Sequence, residues 1–250
     1  PGYRPFLAET RLSVRAADAA VVVVDAVAGV EVQTEKVWEF CDEYSLPRMI
    51  VVNKVDRDNA SSERSLASLE EAFGRGAVPL QIPMGVERDF AGVINVVTGK
   101  AYRYPRDGSG KFQEEDVPAQ YKDELAQMRE KLIETVAESS DALMEKFFAE
   151  GTLDHDELVE GLKASVLQRS LFPVLYSSAT LNIGIAQLLD AVTDLFPSPA
   201  AVARVSGTDP KTNEPVERTI SGKEPYAAYV FKTIADPFAG RISLIKLYSG

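Results

Sequence analysis

The stretch Met49-Ile50-Val51-Val52-Asn53-Lys54-Val55-Asp56 fixes the fold class. Its apolar run from Met49 to Val52 ends in Asn-Lys-x-Asp, which is how a parallel strand delivers polar residues to a binding edge. In open α/β sheets ligands sit outside the carboxyl ends of the strands. The plainer alternative is a polar turn after a buried strand, since average residue usage produces some Asn-Lys-x-Asp by chance in roughly a few per cent of chains this long. The surrounding chain has to decide.

On the amino-terminal side, residues 5–17 carry Phe6, Leu7, Leu12 and Val14 among charges, a short amphipathic helix. Ala20 to Ala26 is too apolar for a half-exposed strand and suits the centre of a parallel sheet. Residues 31–45 place Val37, Phe40, Cys41 and Tyr44 at helical spacing, and Pro47 leads into the strand Arg48–Asn53. This is the strand–helix–strand crossover of an α/β fold with a mostly parallel sheet. An amphipathic helix over 62–73 follows and stops near Gly74 and Gly76.

The pattern then changes. Residues 78–170 read as an α+β insertion: strands Leu80–Pro83, Gly92–Val97 and Lys100–Tyr104, then helices over 118–149 and 154–169 joined near Gly151. Asp154 and Glu157 suit the start of the second helix by the dipole argument. Phe172–Tyr176 resumes the buried-strand pattern, and a helix over 183–195 is stopped by Pro197 and Pro199. Residues 198–223 read as a linker plus an exposed hairpin. Pro225–Ile234 and Gly240–Tyr248 alternate like the opening strands of an antiparallel barrel. The expected division is 1–77 and 171–199 for the parallel-sheet domain, 78–170 for the insertion, 200–224 for the linker and 225–250 for the start of the barrel.

Composition sets outer bounds. The 250 residues are 45% hydrophobic and 26% charged, ordinary for a globular protein. A formal charge of −11 argues against a nucleic-acid grip spread over this segment, because phosphate neutralisation needs clustered Lys and Arg. One cysteine, Cys41, forms no internal disulfide, which fits a reducing cytosol. The longest apolar run, Ala16 to Val30, is broken by Asp18 and Asp25 and is too short to span a bilayer. The chain opens on Pro1-Gly2-Tyr3 without an initiator Met and closes on a strand running into a turn, so it reads as a segment of a longer protein.

At the end of a strand, Asn53-Lys54-Val55-Asp56 resembles the guanine-reading motif of GTP-binding domains, and the chemistry fits. The Asp56 carboxylate accepts two hydrogen bonds, from guanine N1–H and the 2-amino group. Adenine, with an acceptor at N1 and no 2-amino group, would leave a buried charge unpaired, a discrimination that apolar pockets do not reach. The Lys54 stem can lie along the base plane, and Asn53 can tie this loop to its neighbours. Ser177-Ser178-Ala179, directly after the strand 172–176, resembles the short Ser-Ala turn that donates a backbone N–H to guanine O6, with Ser178 and Ala179 closing over the base. Pro1-Gly2, followed by a helix and a buried strand, resembles the tail of Asp-x-Pro-Gly, the γ-phosphate-sensing switch II loop. Glycine there lets the backbone approach phosphate and donate its N–H. Each short motif alone is ordinary; their order along the chain agrees.

Longer stretches sharpen the likeness. Asp25-Ala26-Val27-Ala28-Gly29-Val30, Gln33-Thr34-Glu35, Pro79-Leu80-Gln81-Ile82-Pro83-Met84-Gly85, Leu195-Phe196-Pro197-Ser198-Pro199 and Asp236-Pro237-Phe238 resemble bacterial elongation factor G over essentially the whole chain. The resemblance implies an incomplete P-loop-GTPase sheet with its insertion subdomain and the first strands of a second, barrel domain. It implies a cytoplasmic, monomeric, ribosome-dependent GTPase that drives translocation of tRNA and mRNA. GTP or GDP would be the ligand, with Mg²⁺ held by residues outside this segment. Ribosomal stalk proteins would be partners, and rRNA would be met through further domains. Related ribosome protection, recycling or release GTPases, and a slow or non-hydrolysing GTP-binding regulator of the ribosome, are the alternatives.

One position departs from the pattern. The family has His directly after the switch II Gly to orient the attacking water, and this chain has Tyr3. Phenols titrate near ~10 and do not share the near-neutral proton chemistry of His. Orienting water is a large part of catalysis when the protein does little covalent chemistry. The remaining conspicuous side chains have plainer readings: His155 a solvated surface residue, Cys41 and Trp38 core, Glu114-Glu115-Asp116 a solvated face of the insertion, which the resemblance turns toward the ribosomal stalk. With no phosphate-cradling glycine loop in residues 1–250, this segment alone is expected to show no GTPase activity and negligible nucleotide affinity. Micromolar binding of a fluorescent guanine nucleotide to it would overturn that expectation.

Overall fold

Three strands of one parallel sheet end level with each other, and that alignment positions the rest. The computed structural model describes residues 3–198, 201, 204–209 and 211–250. In chain order it contains α1 (Leu7–Ala16), β1 (Ala20–Asp25), α2 (Val32–Glu43), β2 (Arg48–Asn53), α3 (Ser62–Phe73) and β3 (Ala77–Pro79). The insertion follows with β4 (Gln81–Met84), β5 (Gly92–Asn95), β6 (Lys100–Arg103), β7 (Gln113–Asp116), α4 (Lys122–Ala137), α5 (Asp141–Glu150) and α6 (His155–Gln168). Then come β8 (Phe172–Ser177), α7 (Ile185–Leu195), a hairpin of β9 (Arg204–Thr208) and β10 (Pro215–Thr219), and a longer one of β11 (Ala227–Asp236) and β12 (Gly240–Ser249).

The parallel sheet has the order β1-β2-β8-β3. Its middle strands are the most buried: β8 is buried throughout, and β2 is buried up to Asn53. Val22 and Val24 of β1 face the core, but Val21 and Val23 are 38% and 60% exposed. The expectation of a central strand there is corrected: among the described residues β1 is an edge, paired only with β2. β3 extends the sheet beyond β8, with Ala77 opposite Phe172.

The insertion packs an antiparallel sheet, β4-β5-β6-β7, against α4 and α6 through Ile82, Ile94, Leu132, Val136, Leu158 and Leu162. The single helix expected over 118–149 is two helices. Ser139 Oγ donates to Val136 O at 2.6 Å, and Ser140 Oγ accepts the Leu143 N–H at 3.3 Å, so the serine pair ends α4 and caps α5. The α6 start is a reciprocal box: Asp154 accepts the Glu157 N–H at 2.9 Å, and Glu157 accepts the Asp154 N–H at 3.0 Å. Glu114, Glu115 and Asp116 form the edge strand β7, where Arg103 reaches Glu115 at 2.8 Å and Lys100 lies 3.6 Å from Asp116. A charged edge strand resists pairing with other chains.

The β11–β12 hairpin is joined to α1 and the residue pair after it. Lys246 Nζ lies 2.5 Å from Asp18 Oδ1, Lys232 pairs with Glu9, and Arg15 stacks 4.3 Å from the Tyr229 ring centre.

At the start of β2, Arg48 is 1% exposed. Its guanidinium lies 4.2 Å from the Trp38 ring and 5.0 Å from Phe172, donates to Trp38 O at 2.9 Å, and pairs with Asp42. Trp38 itself stacks on Phe73 at 3.8 Å, and Cys41 is fully buried. Both are core residues, as read from the sequence. A planar cation fits between aromatic faces as an ammonium does not. Arg48→Lys is therefore expected to lower the unfolding free energy by about 1–3 kcal/mol, read from the urea midpoint; an unchanged midpoint would refute the stacking argument.

Candidate functional site

Asp25, Asn53 and Ser177 are direct neighbours in register across β1, β2 and β8. Each is the last residue of its strand, so three loops leave the same edge of the sheet side by side.

The first loop is shaped by Asp25. Its Oδ1 accepts the N–H groups of Val27 at 2.9 Å and Ala28 at 3.4 Å, and its carbonyl accepts the Gly29 N–H at 2.9 Å. Gly29 has φ +69°, and a Cβ there would meet Ser68 Oγ at 2.8 Å, so no other residue type fits without strain. The Ser68 hydroxyl accepts the Val30 N–H at 2.8 Å, fastening the loop to α3.

The second loop begins at Asn53. Its side-chain Oδ1 accepts the Ala179 N–H at 3.0 Å and the Ser177 hydroxyl at 3.3 Å. Its carbonyl accepts the Ala26 N–H at 2.9 Å, and the Val55 N–H reaches back to Ser177 O at 3.3 Å. One residue thus touches both neighbouring loops, the tie expected of Asn53. Lys54 takes the left-handed conformation, φ +65°. Its Nζ lies 2.7 Å from Asp25 Oδ2, with Arg57 3.2 Å from the same oxygen. Burial raises the Asp25 pKa, but Lys54 and the Val27 and Ala28 N–H groups together outweigh it and hold the carboxyl below its ordinary range. Asp56, half-buried, differs from Asp25: its carboxylate has no partner among the described residues.

The third loop is a tight turn. Ser178 and Ile183 exchange backbone hydrogen bonds at 3.0 Å each way, and Ser178 Oγ accepts the Leu181 N–H at 3.3 Å. The N–H groups of Ser178 and Ala179 are therefore already used inside the protein. The Thr180 N–H, exposed, has no partner among the described residues. Gly184, φ +78°, opens α7, where a Cβ would lie 2.5 Å from Tyr176 O.

The structure brings Asn53, Lys54, Asp56, Ser178 and Ala179 to one edge. Tyr3 is not joined to them by any hydrogen bond among the described residues; it is 76% exposed, and its carbonyl accepts the Phe6 N–H at 2.9 Å. Pro1 and Gly2 lie outside the described residues. The partners of Lys54 carried no sequence signal of their own, because Asp25 acquires its place only through strand register. Chemically, the edge offers a free carboxylate with two acceptor oxygens, a free backbone donor, and a lysine stem held by its own ion pair. That set suits a planar ligand with adjacent donors and an acceptor on one rim. No group of three or more His, Cys, Asp or Glu able to hold a metal ion exists among the described residues.

The family profile of the elongation factor Tu GTP binding domain matches residues 1–198. The crystal structure of ttk003000868 from Thermus thermophilus is similar over 99% of this chain, with a TM-score of 0.82 and 31% sequence identity. The matched region is 34% of that chain, so the present chain spans about a third of its length. The profile match takes in all three loops, and the chain belongs to the elongation factor Tu GTP binding domain family, a family of translational GTPases.

Proposed function

We propose that the full-length protein carrying this chain is a GTPase of the elongation factor G type, using GTP to drive translocation on the ribosome. The observation that carries the reading is the combination of an Asn53 whose Oδ1 accepts from two donors of the third loop with an Asp56, two residues after Lys54, that has no partner among the described residues. Asn53 fixes the loops on either side; Asp56 accepts the guanine N1–H and 2-amino protons; Lys54, anchored on Asp25, lays its stem along the base. Ser178 and Ala179 hold the third loop closed over the base, where the free N–H of the turn meets O6. Residues 1–77 and 171–199 form the nucleotide domain, 78–170 its insertion, and 225–250 the start of a barrel. The pairing of β3 with β8 supports taking the nucleotide domain a little further, through Pro79.

GTP supplies the phosphoryl chemistry, and Mg²⁺ belongs with ligands outside this segment. Pro1 and Gly2 are the phosphate-sensing turn of this reading. The setting is the cytosol, with the ribosome and its stalk as partners; no helix among the described residues is long and apolar enough to cross a membrane. Tyr3 favours a second reading within the same family: a divergent paralogue with slow or differently assembled hydrolysis.

In the full-length protein, Asp56→Asn is expected to weaken guanine-nucleotide binding by about 10- to 100-fold, the loss of charge-assisted hydrogen bonds. Fluorescent GDP titration with an unchanged thermal melt is the check; undiminished affinity would remove Asp56 from the site. Tyr3→His is expected to raise ribosome-stimulated phosphate release, and a multiple-turnover assay showing no rise would count against the slow-hydrolysis reading.

A further inference from the structure

The second loop is gripped from the insertion as well as from the sheet. Glu87 lies between β4 and β5, and its backbone N–H donates to Val55 O at 2.8 Å. The carboxylate of the same residue accepts the Asn59 N–H at 2.8 Å. One insertion residue thus bridges both ends of the stretch 55–59, and Asp56 lies inside the bridge. Beside it Arg88 Nε reaches Asp58 Oδ1 at 3.3 Å, an exposed pair.

Glu87 is held where glutamate is seldom found. Its φ is +54°, in the left-handed region that Gly, Asn and Asp tolerate and bulkier residues rarely enter. Such a conformation persists only where the surroundings fix it. Here the Phe90 N–H donates to Glu87 O at 3.2 Å, the Asp89 N–H to Val86 O at 3.0 Å and the Ala91 N–H to Met84 O at 2.9 Å. Arg106 donates to the carbonyls of Arg88 and Phe90 at 2.7 and 3.1 Å. Phe90 is fully buried in the same core as Val52 and Val55. The turn is a rigid support and not a passive neighbour.

Val55 is fully buried, so the chain enters the loop at a fixed point. The exit is held by the Ala60 N–H on Arg57 O at 3.1 Å and by Arg64, which donates to Asn59 O at 2.6 Å. Neither bond ties the exit back to the entrance. Glu87 does, with its N–H on one side and its carboxylate on the other.

We propose that Glu87 is a positioning residue for base recognition, through which the insertion sets the reach of the Asp56 carboxylate. The inference rests on the reading of Asp56 as acceptor of the guanine N1–H and 2-amino protons. A loop free to open carries Asp56 away from the base edge, and the 2-amino group loses its acceptor. Inosine diphosphate (IDP) lacks only that amino group. The ratio of GDP to IDP affinity therefore reports the contact and is blind to a general loss of folded protein.

The test is titration of the full-length protein with GDP and with IDP. The unaltered protein is expected to bind GDP about 10- to 100-fold tighter, the worth of a charge-assisted hydrogen bond. Glu87→Gly keeps the left-handed backbone and its N–H but removes the carboxylate. It is expected to cut the ratio about threefold to tenfold. Glu87→Gln puts an acceptor oxygen back and is expected to recover most of the ratio. An unchanged ratio in Glu87→Gly, or a Glu87→Gln as impaired as Glu87→Gly, overturns the inference while leaving the nucleotide reading intact. If Glu87→Gly does not fold, Glu87→Asn tolerates the same backbone with a shorter side chain, and the same loss is expected of it. An unaltered protein with no preference for GDP over IDP overturns the nucleotide reading itself, and this inference with it.

Discussion

One carbonyl oxygen, Asn53 Oδ1, accepts hydrogen bonds from two groups of the neighbouring strand β8 and the turn after it, the Ser177 hydroxyl and the Ala179 N–H. They are more than a hundred residues away in sequence, beyond the insertion. A loop has many conformations to lose, and hydrogen bonds to a residue at the end of a buried strand restrict them. Because β2 is buried from Arg48 to Val52, the backbone leading into Asn53 is held by the core. The loops take their geometry from Asn53, and so indirectly from the packing of Met49 to Val52. The insertion also reaches the second loop: the Glu87 N–H donates to Val55 O at 2.8 Å, and the Glu87 carboxylate accepts the Asn59 N–H at 2.8 Å.

The same strand carries a charge-bearing residue at its other end. Arg48 is buried among Trp38 and Phe172, its Nε without a hydrogen-bond partner among the described residues. Desolvating a cation is costly unless it is paired and stacked, and the aromatic faces and Asp42 meet that requirement here. At the loop end the electrostatics run the other way. Asp25 gathers Lys54, Arg57 and two backbone N–H groups, while Asp56 gathers none among the described residues. Two carboxylates on neighbouring loops are thereby given opposite roles: one is structural and satisfied, the other is available.

Much of the parallel sheet could be read from apolar runs bounded by polar turns, and β2 with its terminal motif was the clearest. What escaped followed from short range or long range. β3 has three residues, too few for a pattern. The break at Ser139-Ser140 is a local contest between a helix and two hydroxyls, settled by a cap that periodicity does not register. β1 reads as central because it is Val-rich, yet its Val21 and Val23 face outward on an edge. Of the candidate site, Asn53, Lys54 and Asp56 stand out in the sequence as a motif, but the Asp25 partnership and the prior use of the Ser178 and Ala179 N–H groups depend on register and turn geometry. No window of sequence contains both halves of those contacts.

The joint between α1 and the β11–β12 hairpin has a mechanical consequence. A body held at one point can swing, whereas one held at two can turn only by releasing a grip. Lys232 and Lys246 hold Glu9, in the first turn of α1, and Asp18, just beyond its end, from two adjacent strands. A rotation of α1 must either carry the hairpin along or open one pair. Partly exposed pairs contribute only about 0.2–1 kcal/mol each and weaken in salt. The joint is therefore stiff against small thermal swings and yields to any force worth a few hydrogen bonds, the behaviour of a friction clutch and not of a weld.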